Sequence, residues 1–139
     1  MVEVVSRQRR RKMDCERWQA FGEKALKTIG KDADATIAFV SDRRIKKLNK
    51  QFRATDKTTD VLSFPAETDG FVESEPNLGD IAISVERAEF QAKENGLSFD
   101  QEVAQLILHG LLHLCGYDHE TDNGEMNSLE LRLRRELGI

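Results

Sequence analysis

The histidines of this chain all fall within one short stretch, His109-Gly110-Leu111-Leu112-His113-Leu114-Cys115-Gly116-Tyr117-Asp118-His119. Histidines scattered through a core would not gather in this way. His109 and His113 are four apart, so on a helix they share one face with Cβ atoms ~5–6 Å apart, a separation that lets two imidazoles converge on one cation. Gly116 accounts for the third: glycine takes positive φ without a Cβ penalty, so it ends the helix and turns the chain back for His119 to reach the same ion. Three protein ligands leave a fourth tetrahedral position for water, the pattern of catalytic zinc, in which the pKa of that water falls to ~7. Zinc is the expected ion, although three imidazoles also suit nickel, copper and iron. A closed structural site needs a fourth ligand. Asp118, Cys115, Glu120 and Asp122 are near enough in sequence to be considered, but Cys115, two residues past His113, points to another side of the helix.

The spacing His-x-x-x-His-x-x-Gly-x-x-His is that of the metzincin proteases, with Gly110 where those enzymes carry glutamate. That glutamate is their general base. Its absence argues against peptide hydrolysis and for a substrate that asks less proton transfer of the protein, such as a phosphodiester, whose charge metal and cationic side chains stabilise.

The elements that must hold this cluster are legible in the surrounding pattern. Val2–Val5 reads as a first strand. Asp14 offers an N-cap for a helix bearing Trp18, Phe21, Ala25 and Ile29. Thr36–Val40 reads as a second strand, and Ser41 caps a short helix with Ile45, Leu48 and Phe52 on its buried side. Val61–Phe64 is a third strand, stopped by Pro65. Residues 66–78, rich in Glu, Asp, Gly and Pro, read as an exposed loop. Gly79–Ser84 alternates as a strand, and Ser84 opens a helix that stops at Asn95-Gly96. Ser98 and Gln101 make a capping box for the histidine-bearing helix, which is apolar on nearly every side and therefore central. A last helix covers Asn123–Leu137, with Leu129, Leu133 and Leu137 four apart. Few strands interleaved with helices predict an α+β fold: a small mixed sheet covered by about five helices, the metal-site helix zincin-like, all in a single domain over residues 1–139. An α/β arrangement is the nearest alternative.

Composition narrows the class of function. The chain has 139 residues, 39% hydrophobic and 33% charged, which is enough apolar material for one core and too little charge bias for disorder. A net charge of −4 argues against nucleic-acid binding through overall charge but leaves room for a local basic face. No apolar run approaches the ~20 residues of a membrane span. The arginines at 7–11 are not followed by an apolar stretch, so they do not read as a secretory signal, and the expected compartment is the cytoplasm. Two cysteines far apart indicate neither a disulfide framework nor a cysteine zinc ribbon.

The sequence resembles the YbeY family of bacterial rRNA maturation factors. The family signature His-Gly-x-x-His-x-x-Gly-Tyr-Asp-His is matched at every fixed position from His109 to His119. A second block matches as well: Asn49, Phe52-Arg53, Asp56, Thr59-Asp60-Val61-Leu62-Ser63-Phe64-Pro65, Leu78-Gly79-Asp80-Ile81 and Ser84. The resemblance implies a metal-dependent endoribonuclease with a zinc-like ion on the three histidines. It implies action on single-stranded regions of precursor rRNA, near the 3′ end of the small-subunit RNA, in rRNA maturation and ribosome quality control. RNA and the small ribosomal subunit are then the expected partners.

The resemblance also gives weight to Arg53, whose fixed charge and planar fork suit a phosphate, although a surface or carboxylate-paired arginine is the plainer reading of the residue alone. Ser63 and Asp60 are candidates for the cleft wall, set against the plain reading of residues 59–65 as a buried strand and turn. Asp118 either accepts a hydrogen bond from a ligating imidazole or only terminates the helix turn. Arg43, Arg44, Lys46 and Lys47, with Arg53, make a candidate RNA-facing strip, whereas the C-terminal arginines read as a solvated helix face. Two other functions stay open: an RNA- or ribosome-binding assembly factor in which metal only organises the fold, and a metzincin-like hydrolase of another substrate.

Overall fold

In the computed structural model, which describes residues 1–66, 77–118 and 120–139, the chain runs β1 (Val2–Ser6), α1 (Cys15–Ile29), β2 (Asp34–Val40), α2 (Asp42–Arg53), β3 (Val61–Pro65), β4 (Asn77–Ser84), α3 (Val85–Asn95), α4 (Phe99–Leu114) and α5 (Glu125–Leu137). The side chains of Asp14, Ser41, Ser84 and Ser98 accept hydrogen bonds from the amides of Arg17, Arg44, Arg87 and Gln101 at 3.1–3.2 Å. Each satisfies an amide that the helix itself cannot, and such a cap contributes ~1 kcal/mol. The helix starts expected from the sequence at these four residues are all present.

The sheet has the order β1-β2-β4-β3. β1 and β4 both lie parallel to β2, while β3 returns antiparallel to β4 with Ser63 opposite Ile81. The sheet is thus small and mixed, and the fold is α+β, as expected. β2 begins at Asp34, earlier than the β-branched run suggests, because the Ala35 amide bonds the Met1 carbonyl at 3.1 Å and carries the pairing outward. β4 likewise begins at Asn77: the Ala66 amide bonds the Leu78 carbonyl at 3.0 Å, extending the ladder past Pro65. Of the expected loop, residues 67–76 lie outside the described residues.

Alternation along the strands makes two faces. Ile37, Phe39, Ile81 and Ile83 point into the main core with α1 and α4. Val40, Leu62 and Ala82 point the other way, against Ile45 of α2. Phe52 was expected on the buried side of α2 but is 60% exposed. It sits in the last turn, past the stripe formed by Ile45 and Asn49, and its ring meets that of Phe64 edge-to-face, with centroids 5.4 Å apart.

Helix α4 lies between the sheet and α5. Val103, Ile107 and Leu111 enter the main core, and Leu108 and Leu112 pack against Met126 and Leu133 of α5. Full burial of side chains of this size contributes ~1.5–3 kcal/mol each, which fixes the helix firmly. At 100° per residue, one strip remains, and Glu102, His109 and His113 occupy it.

Glu102 is 4% exposed. Burial pushes its carboxyl above the ordinary glutamate value; the Asn95 amide opposes that shift, the Asp60 charge adds to it, and Arg134 opposes it. A carboxyl whose pKa is raised on folding favours the fold below its ordinary value and loses that contribution as pH rises through the raised one. Glu102→Gln is therefore expected to melt at or above the wild-type temperature near neutral pH and to lose this advantage in acid. Parallel melts across pH check this, and a variant less stable at every pH would reject it.

Candidate active site

The α4 strip opens into a cleft of about 590 Å3 whose walls include Asn49, Arg53, Asp60, Ser63, His109, His113, Tyr117, Asp118 and Glu120. Two stretches of the chain far apart in sequence, 49–65 and 109–120, contribute to it. His109 and His113 are both half-buried, and their Nε2 atoms approach to 3.1 Å with the rings nearly perpendicular. Two imidazole nitrogens on one tetrahedral zinc at ~2.0–2.1 Å lie ~3.3 Å apart, so the pair already has the spacing of two ligands of one ion. The donor set suits zinc or a related transition metal. Among the described residues no cluster of three or more His, Cys, Asp or Glu forms a metal cage, and His119, the third expected ligand, lies outside the described residues.

Past the helix, the Gly116 amide bonds the His113 carbonyl at 3.0 Å and the Tyr117 amide bonds the Leu112 carbonyl at 3.1 Å. Gly116 has φ +98°. This left-handed turn is the one expected from the sequence, and it reverses the chain over the cleft mouth.

His109 Nδ1 faces Glu130 Oε1 at 2.7 Å. A carboxylate only accepts, so a ring hydrogen sits on Nδ1, and Nε2 is the nitrogen that faces His113. For Asp118 the sequence left two readings open, an acceptor for a ligating imidazole or a turn residue. Asp118 lines the cleft, and its Oδ1 accepts from the Glu120 amide at 2.9 Å. Its carbonyl accepts from the amides of Thr121 and Asp122, so it builds the turn. Asp122 caps the next helix, its Oδ2 accepting from the Met126 amide at 2.9 Å. Cys115 does not line the cleft, whereas Glu120 does.

Arg53, the last residue of α2, reaches the same cleft and is held there by an Nη2 hydrogen bond to the Ser63 carbonyl at 2.9 Å. Among the described residues one donor of its five is used, and Arg53 lines the cavity shared with the histidines. Ser63 is buried and donates from Oγ to the Gly110 carbonyl at 3.3 Å, tying β3 to α4. The Asp60 carboxylate accepts from the Val61 amide at 2.8 Å and from Thr59 Oγ1 at 3.2 Å. Both residues form cleft wall, as expected, and both also build the backbone around it.

The basic strip is only partly where the sequence suggested. Arg43, Arg44, Lys46 and Lys47 are exposed on α2, but none lines the histidine cleft. Arg44 lines an adjoining groove on the other sheet face that shares Arg53, Ser63 and Pro65 with the cleft. Lys46 instead faces Asp56 at 3.9 Å with both side chains more than half exposed, a pairing of little energetic weight. Among the C-terminal arginines, Arg134 is not simply solvated: its Nη2 lies 3.5 Å from Glu130 Oε2.

Glu130 is the residue that sequence reasoning missed. It lies in a helix whose leucine spacing is its evident feature, and nothing local marks position 130 as different from any other glutamate. A signal does exist: Glu130 falls one residue after Leu129 and three before Leu133, on the stripe that turns inward.

The family model described as Endoribonuclease YbeY matches residues 3–138. The chain is 43% identical over 121 residues to the Endoribonuclease YbeY of Solibacter usitatus, covering 87% of this chain and 78% of the relative. It is 50% identical over 108 residues to that of Nautilia profundicola, covering 78% and 75%. The solution structure of the Thermotoga maritima protein TM1509 superposes with a TM-score of 0.66 at 29% identity, over 99% of this chain and 89% of that one. With a family model spanning nearly every residue and relatives 43% and 50% identical over most of their length, the chain belongs to the YbeY endoribonuclease family.

Proposed function

We propose that this protein is a metal-dependent endoribonuclease that cuts single-stranded precursor rRNA near the 3′ end of the small-subunit RNA, working on or with the small ribosomal subunit in the cytoplasm. The observation that carries the reading is the 3.1 Å convergence of the two Nε2 atoms in a cleft shared with Arg53. The family's name, Endoribonuclease YbeY, supports RNA as the substrate. Among the described residues, no helix is long and apolar enough to cross a membrane.

His109 and His113, with His119 as the third ligand, would hold zinc or a related ion. Such an ion, when bound, supplies a Lewis acid for the phosphoryl oxygens and lowers the pKa of water. The chain itself contributes orientation. Arg53, pinned by the Ser63 carbonyl, offers its remaining N–H donors to the non-bridging oxygens of the scissile phosphate, where they stabilise charge that grows as the phosphorus is attacked. Asp60 and Asp118 add negative charge to the walls and so oppose non-productive entry of the polyanion except along the side that Arg53 guards.

Two chemistries fit this arrangement, attack by water or by the ribose 2′-hydroxyl, and the products differ. The test is a cleavage assay on single-stranded and precursor rRNA with metal-quantified protein, followed by analysis of the new ends. A 2′,3′-cyclic phosphate rejects attack by water, whereas solvent oxygen in the product phosphate supports it. Absence of any cleavage by fully loaded protein rejects the catalytic reading.

Arg53→Ala is expected to lower the cleavage rate by ~100-fold or more while zinc content and melting temperature stay as in wild type, because the lost group acts on the transition state. Arg53→Lys is expected to recover little, since an ammonium cannot reproduce both the anchor to Ser63 and a forked phosphate contact. Rates for the three proteins at equal zinc content check this, and wild-type activity in Arg53→Ala would remove the residue from the mechanism.

A further inference from the structure

We propose that Glu130 is a positioning residue that aligns His109 for the metal before the metal arrives. The inference rests on the metal reading given above and extends it to a residue outside the histidine motif.

Glu130 is 6% exposed, and a carboxylate is rarely buried so far without a partner that repays its lost hydration. It has two. Oε1 stands 2.7 Å from His109 Nδ1, the length of a charge-assisted hydrogen bond. Oε2 stands 3.5 Å from Arg134 Nη2, one helical turn along α5. Asp60 and Glu102 line a second cavity with His109 and Glu130, yet among the described residues Glu130 is the carboxylate within hydrogen-bond distance of the ring.

The geometry does two things to His109. It fixes the tautomer with hydrogen on Nδ1, which leaves the Nε2 lone pair facing the His113 Nε2. It also fixes rotation about the ring axis, because a ring swung away from the cleft breaks the bond to Glu130. The anchor is itself rigid: α5 is clamped to α4 by Met126 and Leu133 packed on Leu108 and Leu112. A ligand ordered in advance loses less conformational freedom on binding, and a carboxylate on the far nitrogen strengthens the ring as a donor.

Two variants test this with zinc alone and no RNA. Glu130→Gln keeps the shape and one acceptor oxygen but removes the charge; Glu130→Leu removes the acceptor. Chelator competition should show zinc affinity falling ~10-fold in the first and ~100-fold in the second. The Co2+ absorption spectrum should change in Glu130→Leu and be largely retained in Glu130→Gln. Circular dichroism and melts of the metal-free proteins report the fold, which a merely structural glutamate would alter without changing the zinc affinity of the folded fraction. If Glu130→Leu does not fold, Glu130→Gln decides. Folded variants that hold zinc as tightly as wild type, with an unchanged cobalt spectrum, overturn the proposal. A wild-type protein that takes up no zinc instead overturns the metal reading beneath it, and the affinity arms tell the two failures apart.

Discussion

Changing His113 to alanine is expected to strip the protein of its metal and to lower RNA cleavage by at least ~1,000-fold, while the fold survives. The argument for loss is geometric: His113 Nε2 is one of the two nitrogens that meet at 3.1 Å, and a cation left with fewer imidazoles is neither held tightly nor confined to the cleft. The argument for survival is positional. His113 is half-buried and stands in the last turn of α4, outside all three apolar clusters that hold the helix in place. Alanine is also the best helix former, so the backbone tolerates it. Circular dichroism, metal analysis and a cleavage assay on one preparation decide the matter. Retained cleavage by a metal-free His113→Ala protein of matched purity would mean that the activity comes from elsewhere in the chain or from a contaminant.

Gly110→Glu completes the metzincin frame on paper, yet it is expected to unfold the protein rather than to create a protease. A Cβ built at Gly110 falls 2.9 Å from Ile81 Cδ1 and 3.0 Å from its Cγ2. One position past His109, the residue has turned by 100° away from the cleft and into the joint between α4 and the sheet, where its carbonyl receives Ser63 Oγ. Alanine alone asks Ile81 to move, at a cost of ~1–3 kcal/mol for overpacking. Glutamate adds four heavy atoms and a charge with no partner in an apolar contact, and the total of ~4 kcal/mol or more exhausts much of the stability of a domain this size. Urea titrations of wild type, Gly110→Ala and Gly110→Glu should fall in that order. A Gly110→Glu protein with the wild-type midpoint would show that α4 sits against the sheet differently from what is described here.

Gly110 also marks how far the sequence could be read. Its identity was visible, and the absence of a glutamate base followed from it directly. That the position faces β4 was not visible, because the partner, Ile81, comes from a strand 29 residues earlier and the helix is apolar on most sides. The same division runs through the molecule. The four N-caps, the Gly116 turn and the pairing of His109 with His113 depend on residues within one or two helical turns, and local chemistry decides them. Glu130, the anchoring of Arg53 by Ser63 and the exposure of Phe52 depend on how elements dock, which the local pattern does not settle even where, as at Glu130, it marks an inward stripe. The fold class could be inferred because strand and helix periods alternate cleanly. The strand order, with β4 inserted between β2 and β3, could not, since the apolar alternation of β4 suits either neighbour equally.

Because α4 is at once the backbone of the core and the carrier of the two proposed ligands, His109 and His113, the two duties cannot be altered separately. Ten of its sixteen residues are buried, so drift there is penalised whatever its effect on chemistry. Change is tolerated more readily on α2: it rests on the sheet through Ile45 and Leu48, carries Arg53 to the cleft, and presents Arg43, Arg44, Lys46 and Lys47 to solvent. A lineage can rewrite that outer surface almost freely while the machinery beneath it stays frozen.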